Sequence, residues 1–170
     1  MMIRCKHLLF FTTGLIILLF VAGSHTEGRT QTAAEKADEV KAADFSLKDL
    51  DGREFTLSGS RGKPILLIFA TTWCGYCRAE IPHFKDIYNK YGRRGLEVIY
   101  IDIQEPRERV ARFSRRYDLP YRILLDEEGR VADRYSVRGV PTLVLIDRQG
   151  KIICWQCRRM DTMLEQLFKR

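Results

Sequence analysis

The chain has 170 residues, 45% of them hydrophobic, which is enough for one ordinary globular core and few for two. Lys and Arg number 29 against 22 Asp and Glu, which gives a formal net charge of +7. The basic residues are scattered among acids and no nucleic-acid motif is present, so no nucleic-acid partner is predicted.

The first 24 residues have the pattern of a targeting segment. Arg4 and Lys6 precede an apolar run over residues 8–22, and small residues follow at positions 22–24. The run is shorter than the roughly 20 residues that cross a bilayer comfortably. A cleaved signal peptide is therefore favoured over an N-terminal membrane anchor. Both predict an exported protein, in the periplasm or on the outer face of the cytoplasmic membrane.

Residues 25–42 are polar and contain one large apolar side chain, so we predict a linker followed by a folded domain over residues 43–170. The Asp51-Gly52 dipeptide predicts a β-hairpin at the start of this domain. The apolar run 65–70 and residues 95–103 predict two strands buried on both faces. Helical spacing predicts a helix after residue 77, which contains Pro82.

Residues 105–120 predict a second helix, started by Pro106 and stopped near Pro120. A short strand over residues 121–126 and a turn with a short helix over residues 127–137 follow. Residues 141–155 predict two strands joined across positions 147–150, and residues 161–170 a closing amphipathic helix. The order predicts an α/β domain: a central mixed β-sheet flanked by helices, with an added N-terminal β-hairpin.

Four cysteines in the exported part form two C-x-x-C pairs, Cys74 with Cys77 and Cys154 with Cys157. The first pair lies between a buried strand and a helix. The N–H groups of the helix N-terminus would stabilise a thiolate at Cys74, and Cys77, one turn further, would resolve a mixed disulfide. We predict a reactive dithiol. The alternatives are a staple disulfide and half of a zinc site, which the long gap to Cys154 disfavours.

Two stretches, "FATTWCGYC" at residues 69–77 and "GVPTLVLIDRQGKI" at residues 139–152, resemble the thioredoxin superfamily. The stretch before Pro82 is similar to its exported TlpA/ResA/DsbE branch, and the resemblance covers about residues 43–170. It implies a thioredoxin-like fold with a cis bond between Val140 and Pro141 beside the dithiol. The backbone there would pair with an extended substrate segment.

The resemblance also implies a role for Glu80, three residues after Cys77 on the same helical face. Thioredoxins proper carry a buried Asp six residues before the first cysteine, where this chain has Ile68. In TlpA/ResA-like proteins the matching Glu tunes the cysteine pKa values, so Glu80 is expected to accept the Cys77 proton. The alternative is a solvated Glu in the first helical turn. His83 is interpreted as a surface histidine rather than a protease-like partner of a cysteine.

Four residues form the predicted substrate-binding set: Trp73, Tyr76, Val140 and Pro141. Trp73 is expected to pack beside the sulfurs. Tyr76 stands where many relatives have proline and is available to contact a partner.

The second pair, Cys154 and Cys157, is not part of the family pattern. Residues i and i+3 of a strand lie on opposite faces and about 10 Å apart, so a disulfide there requires the strand to end and the chain to turn. Three interpretations stay open: buried thiols or an inert disulfide, an auxiliary redox pair that exchanges electrons with Cys74–Cys77, and a soft-metal site shared by both pairs.

Together these features predict an exported thiol-disulfide oxidoreductase that uses the Cys74–Cys77 disulfide and needs no organic cofactor or metal. The resemblance implies protein disulfides as substrates, for example apocytochrome c before haem attachment, and a membrane thiol-disulfide reductant as electron donor. A disulfide-forming oxidant, a thiolate copper chaperone and a peroxiredoxin-like peroxidase are the alternatives.

Overall fold

A computed structural model of the chain describes residues 40–157 and 159–169. The predicted signal peptide or membrane anchor and linker residues 25–39 lie outside these ranges. Within them, every helix is too short or too polar to cross a bilayer.

Each predicted strand and helix of the domain is present, with ends shifted by at most a few residues. The strands are β1 (Ser46–Asp49), β2 (Glu54–Thr56), β3 (Ile65–Ala70), β4 (Glu97–Ile103), β5 (Arg122–Asp126), β6 (Thr142–Ile146) and β7 (Ile152–Trp155). The helices are α1 (Gly75–Tyr91), α2 (Arg107–Tyr117), α3 (Arg130–Arg134) and α4 (Met160–Phe168). Two short 3₁₀ helices that were not predicted lie at Leu57–Ser60 and Gly92–Arg94.

The strands form one mixed seven-stranded sheet in the order β2-β1-β5-β4-β3-β6-β7. β3, β4 and β5 are parallel to one another, while β6, β7 and the β1–β2 hairpin add antiparallel strands at the two sides. β3 lies in the middle, and all six of its residues are buried. Its unbroken apolar sequence fits this position, because helices and loops cover both faces of the sheet.

The sheet separates two apolar cores. On one face, α1, α2 and α4 pack over alternate residues of β3 and β4, including Ile68, Ala70 and Tyr100. On the other face, α3 and the β1–β2 hairpin cover the remaining residues of the same strands, including Phe69 and Ile101. The period-two alternation of strand side chains thus divides each buried strand between the cores. The face under α1 is the one that carries the first cysteine pair.

Val40 and Lys41, among the last residues of the predicted linker, already take part in backbone pairing. Lys41 forms an isolated bridge with Lys151, and the N–H of Ile152 donates to the carbonyl of Val40 at 2.9 Å. The chain therefore enters the domain along the outer edge of β7. These contacts use the backbone alone, so the lack of large apolar side chains did not reveal them.

One carboxyl group is buried among apolar neighbours of the α1 face. Asp102, on β4, is 1% exposed, and its two carboxyl oxygens have no hydrogen-bond partner among the described residues. Burial, and then the negative charge of Glu105, raise the pKa of Asp102 to about 8, although Arg109 acts in the opposite direction. The carboxyl is therefore protonated in the folded protein at neutral pH and ionised in the unfolded chain.

This burial predicts a specific pH dependence of stability. Between the usual pKa of 3.8 and the raised pKa of about 8, the folded protein holds a proton that the unfolded chain has lost. The contribution of Asp102 to the free energy of unfolding is therefore fully present below pH 3.8 and is lost as the pH rises toward 8. The variant Asp102→Asn lacks this titration. We expect its unfolding free energy, relative to wild type, to increase with pH by up to about 1.4 kcal/mol per unit between pH 4.5 and 8. Urea unfolding of the oxidised proteins across this range measures the difference.

The matched control is Asp86→Asn, since Asp86 is exposed on α1. It removes a carboxylate from the surface of the same domain and should not reproduce the effect of Asp102→Asn. A difference between Asp102→Asn and wild type that does not change with pH would contradict the assignment of a protonated, buried Asp102.

Candidate active site

The first cysteine pair lies where the central strand ends and α1 begins. β3 finishes at Ala70, three residues form the connection, and Cys74 caps the N-terminus of α1. The end of β3 is fixed from both sides. Ala70 pairs with Asp102 of the parallel strand β4, and Phe69 pairs with Thr142 of the antiparallel strand β6. The cysteines are thus attached to the most constrained strand of the sheet.

The helix N-terminus contacts the sulfur of Cys74 directly. Cys74 has an extended backbone conformation, and its Sγ accepts the backbone N–H of Cys77 at 3.0 Å. Cys74 and Cys77 form a disulfide, with Cα atoms 5.2 Å apart. Cys74 is 6% exposed and Cys77 is 1% exposed, so Cys74 is the more accessible of the two cysteines. In the reduced protein the same N–H would stabilise a Cys74 thiolate.

The loop before β6 completes the second side of the site. The bond between Val140 and Pro141 is cis, as the family resemblance implied. The carbonyl oxygen of Val140 lies 3.7 Å from Sγ of Cys74. β6 pairs with β3 from Thr142 onward, and this register brings the loop to the disulfide.

Two aromatic side chains beside the disulfide are open to solvent. Trp73 is 66% exposed and Tyr76 is 80% exposed. Trp73 lines a shallow depression together with Val140. Most of its side chain is open to solvent, although we expected it to pack beside the sulfurs. Exposed aromatic rings at a reactive site are suited to contacting a protein partner.

Glu80 is half-exposed on the first turns of α1. Its Oε2 lies 3.2 Å from Nδ1 of His83, and Nε2 of His83 lies 3.2 Å from Oδ1 of Asp161 on α4. Burial disfavours the charged form of His83, but the hydrogen bonds with Asp161 and Glu80 outweigh it and raise the pKa of His83. His83 therefore links α1 to α4, a role that its interpretation as a surface histidine did not include.

A buried acid that the sequence did not single out holds the loop before Cys74. Glu105, which is 4% exposed, accepts hydrogen bonds from the backbone N–H and the hydroxyl of Thr72. Nη1 of Arg109 lies 3.4 Å from the same carboxylate. The sequence did contain a signal for this role, because Glu105 closely follows a buried strand and precedes Pro106. The ends of neighbouring parallel strands meet at one edge of the sheet, so an acid in this position lies close to the loop after β3.

A buried carboxyl group that the sequence did not single out lies on β4, in addition to Glu80 on α1. Asp102 pairs with Ala70, and both lie on the sheet face that also packs Cys77. The thioredoxin position itself is occupied by buried Ile68, as the sequence shows.

The second cysteine pair forms a disulfide, with Cα atoms 5.6 Å apart. β7 ends at Trp155 and Gln156 has a positive φ of 51°, so the chain turns as a disulfide at this spacing requires. Trp155 pairs with Val144, which puts Cys157 roughly level with Thr142, at the same end of the sheet as Cys74. Cys157 is buried in the core that also packs Cys77.

The described residues contain no cluster of side chains suited to a metal ion. Across residues 40–157 and 159–169, no three His, Cys, Asp or Glu side chains converge as a metal ion would require.

Known proteins resemble this chain in sequence and in fold. The model of the AhpC/TSA family matches residues 39–154. The thiol-disulfide oxidoreductase ResA of Geobacillus thermodenitrificans is 35% identical over 146 residues, which cover 85% of this chain and 84% of that protein.

Two solved structures extend the comparison. A thiol:disulfide interchange protein DsbE from Chlorobium tepidum is 31% identical, with a TM-score of 0.67 over 75% of this chain and 92% of its own. A secreted Mycobacterium tuberculosis disulfide oxidoreductase homologous to E. coli DsbE is 27% identical, with a TM-score of 0.59 over 64% and 79% of the two chains.

The thioredoxin-like sheet, the disulfide at the start of α1 and the cis-proline loop agree with these matches. Proteins of this kind use a redox-active disulfide in place of a cofactor, and their substrates are proteins. This chain therefore belongs to the AhpC/TSA family and is a thiol-disulfide oxidoreductase of the ResA and DsbE type.

Proposed function

We propose that the protein is exported and that it reduces disulfides of specific protein substrates through Cys74 and Cys77. The observation that carries the proposal is Sγ of Cys74, held 3.0 Å from the Cys77 N–H at the start of α1 and bonded to a buried partner sulfur. Exchange requires an attacking sulfur that is stabilised as a thiolate and a second sulfur that closes the ring. The pair supplies both.

The reaction proceeds in two exchanges. The Cys74 thiolate attacks one sulfur of the substrate disulfide, and the other substrate sulfur leaves as a thiolate and takes a proton from water. Cys77 then loses its proton, attacks Sγ of Cys74 and releases the first substrate sulfur. Two electrons have passed to the substrate, and the enzyme holds the Cys74–Cys77 disulfide seen in the structure. An external dithiol must then reduce this disulfide.

Glu80 accepts the proton of Cys77 during the second exchange. It lies three residues after Cys77 on α1, and it is the helix carboxylate for which the family resemblance implies this role. Its side chain is 44% exposed, so the proton can pass on to solvent. His83, at 3.2 Å, orients the carboxylate and connects it to Asp161.

The substrate segment lies across the cis-proline loop. The Val140 carbonyl is 3.7 Å from Sγ of Cys74, so a strand paired with this backbone would present its disulfide to the attacking sulfur. Trp73 and Tyr76 contact the substrate on either side, because their rings are largely exposed.

Export is supported by the charged and apolar pattern of the first 24 residues and by the secreted Mycobacterium tuberculosis relative. In that compartment a membrane thiol-disulfide carrier is the proposed electron donor. Apocytochrome c before haem attachment is the proposed substrate, as the resemblance to the TlpA/ResA/DsbE branch implies.

For the second disulfide we propose a structural role. Cys157 is buried, and the Cys154–Cys157 bond closes the end of β7 before α4. A closed loop of four residues stabilises the fold by about 2 kcal/mol in the chain-entropy account. Among the described residues, no backbone N–H donates to either sulfur of this pair, in contrast to Cys74.

Substrate trapping tests the order of attack. In a Cys77→Ser variant the mixed disulfide cannot be resolved, so a covalent adduct should accumulate on Cys74, and a Cys74→Ser variant should give none. Mass spectrometry of the adduct from periplasmic or membrane extracts identifies the linked peptide. Adducts formed through Cys77 in the Cys74→Ser variant would contradict the proposed nucleophile.

The matched control for trapping is Cys154→Ser/Cys157→Ser, which should keep wild-type rates of disulfide reduction and have a lower melting temperature. A Cys74–Cys157 bridge found in the wild-type protein under partial oxidation would contradict the structural role and establish electron relay between the pairs.

The direction of electron flow is tested by redox titration. A reductant should have a potential for Cys74–Cys77 near that of thioredoxin, about −270 mV, rather than near the oxidant DsbA at about −120 mV. Tryptophan fluorescence against dithiothreitol ratios reports the midpoint, because Trp73 precedes Cys74. A value above about −180 mV would contradict the reductive direction and favour disulfide formation.

The proton role is tested by Glu80→Gln. Loss of the acceptor should slow resolution of a preformed mixed disulfide on Cys74 by about tenfold or more. Alkylation of reduced Cys74 by iodoacetamide should change far less. Asp86→Asn removes an exposed carboxylate from the same helix and serves as control. Equal slowing by both variants would indicate a general charge effect and contradict the assignment.

A further inference from the structure

A groove lined by arginines begins beside the disulfide and follows α2. Its walls enclose about 720 Å³ and consist of Thr72, Arg78, Arg109, Arg112, Phe113, Arg116 and Tyr117. All four arginines are exposed, and the buried ring of Phe113 lies between them. The groove therefore combines four cationic side chains with an apolar floor.

The sequence of α2 creates this surface. Arg109, Arg112 and Arg116 are spaced i, i+3 and i+7, so they share one face of the helix. The stripe is about 10 Å long at 1.5 Å per residue. This length matches about three residues of an extended segment at 3.3 Å each.

The positive charge of the groove is poorly compensated within the described residues. No Asp or Glu lines it. Glu105, behind it, is buried and already engaged by Thr72 and Arg109, and Glu108 of α2 forms no ion pair with an arginine of the groove among the described residues. Arg112 has no ion pair or hydrogen bond in the part of the chain that the structure describes. Close like charges with little compensation repel one another, and an external anion would relieve this repulsion.

The groove is connected to the reactive sulfur. Nη1 of Arg78 donates to the carbonyl of Thr72 at 3.0 Å, and a Cβ built on Gly75 would lie 3.8 Å from Nη2 of Arg78. Arg78 therefore lies between the groove and the C-x-x-C turn. A segment bound along α2 would continue directly to Cys74.

We propose that this groove binds an acidic segment of the disulfide partner, adjacent to its reactive cysteine. This inference rests on the proposed function, because it assumes that the partner is a protein disulfide. Carboxylates pair with guanidinium groups in a fork geometry, and the stripe of three arginines accommodates about three of them. The pairs are exposed, so their main effect is faster, salt-sensitive association.

The test compares two synthetic cyclic peptide disulfides that differ only in three residues beside one cysteine, Glu-Glu-Glu or Gln-Gln-Gln. With dithiothreitol as the electron donor, wild-type protein should reduce the Glu peptide with a kcat/KM about tenfold higher at low salt. The ratio should fall below about twofold in 0.5 M NaCl, where the Debye length is only a few ångströms. Equal values for the two peptides at low salt would overturn the proposal.

Two double variants locate the effect. Arg112→Gln/Arg116→Gln should lower the Glu-to-Gln ratio to near one. Arg115→Gln/Arg148→Gln removes the same charge from exposed positions outside the groove and should keep the ratio. A ratio lost equally in both variants would mean attraction by net charge alone and would overturn the site.

Failure of the proposed function is distinguishable from failure of the groove. If the protein accelerates the reduction of neither peptide beyond the rate with dithiothreitol alone, the proposed reductive function fails. If both are reduced equally, only the groove fails. Binding of single-stranded DNA or phosphatidylglycerol vesicles at 0.15 M salt that depends on Arg112 and Arg116, without discrimination between the peptides, would assign the groove to another anion.

Discussion

The hydrogen bond from the Cys77 N–H to Sγ of Cys74 requires a buried strand and a helix N-terminus to meet at one residue. β3 is fixed by pairing on both sides, so the position at which it ends cannot shift without breaking two ladders. Glu105 then holds the connecting loop through Thr72, 33 residues away in sequence. Cys74 becomes the N-cap of α1 because each of these constraints applies at the same edge of the sheet.

The charges around this edge favour a thiolate. The helix N-terminus contributes partial positive charge, and Arg78 and Arg109 add formal positive charge nearby. Asp102 does not oppose this field at neutral pH, because it is protonated, and the negative charge of Glu105 is offset in part by Arg109. In the proposed function, the field that stabilises an ionised sulfur would also attract acidic partner segments, so that one charge distribution would serve both reactivity and partner choice.

How far the sequence predicted this structure depends on the range of the interactions involved. β3 and α1 were predicted because an apolar run and a helical repeat are local signals. The cis bond at Pro141 followed only from family resemblance, since nothing in the spacing of residues indicates it. Glu105 and Asp102 were missed because a single acid at the end of a strand looks like a solvated residue until the neighbouring strand and loop are placed.

The same limit applies to the arginines of α2, which as a sequence look like an ordinary solvated helix. Their significance depends on the position of Arg78 and Thr72, which belong to other segments of the chain. Charge clusters are assembled by tertiary structure, whereas strand and helix type is largely a local property. The scattered charge and the lack of a nucleic-acid motif predicted no nucleic-acid partner, but the sequence could not locate a surface for another anion.

The two C-x-x-C pairs show that spacing alone does not determine cysteine chemistry. Both pairs form disulfides with Cα atoms a little over 5 Å apart, 5.2 Å and 5.6 Å. Cys74 lies at a helix N-terminus with a backbone N–H directed at its sulfur, whereas Cys154 lies within β7 and its partner follows the end of that strand. The sulfur of Cys74 accepts a backbone N–H, whereas no hydrogen bond to the sulfurs of Cys154 and Cys157 comes from the described residues. Reactivity is therefore a property of the strand-to-helix junction, and the motif becomes an active site only where the fold supplies that junction.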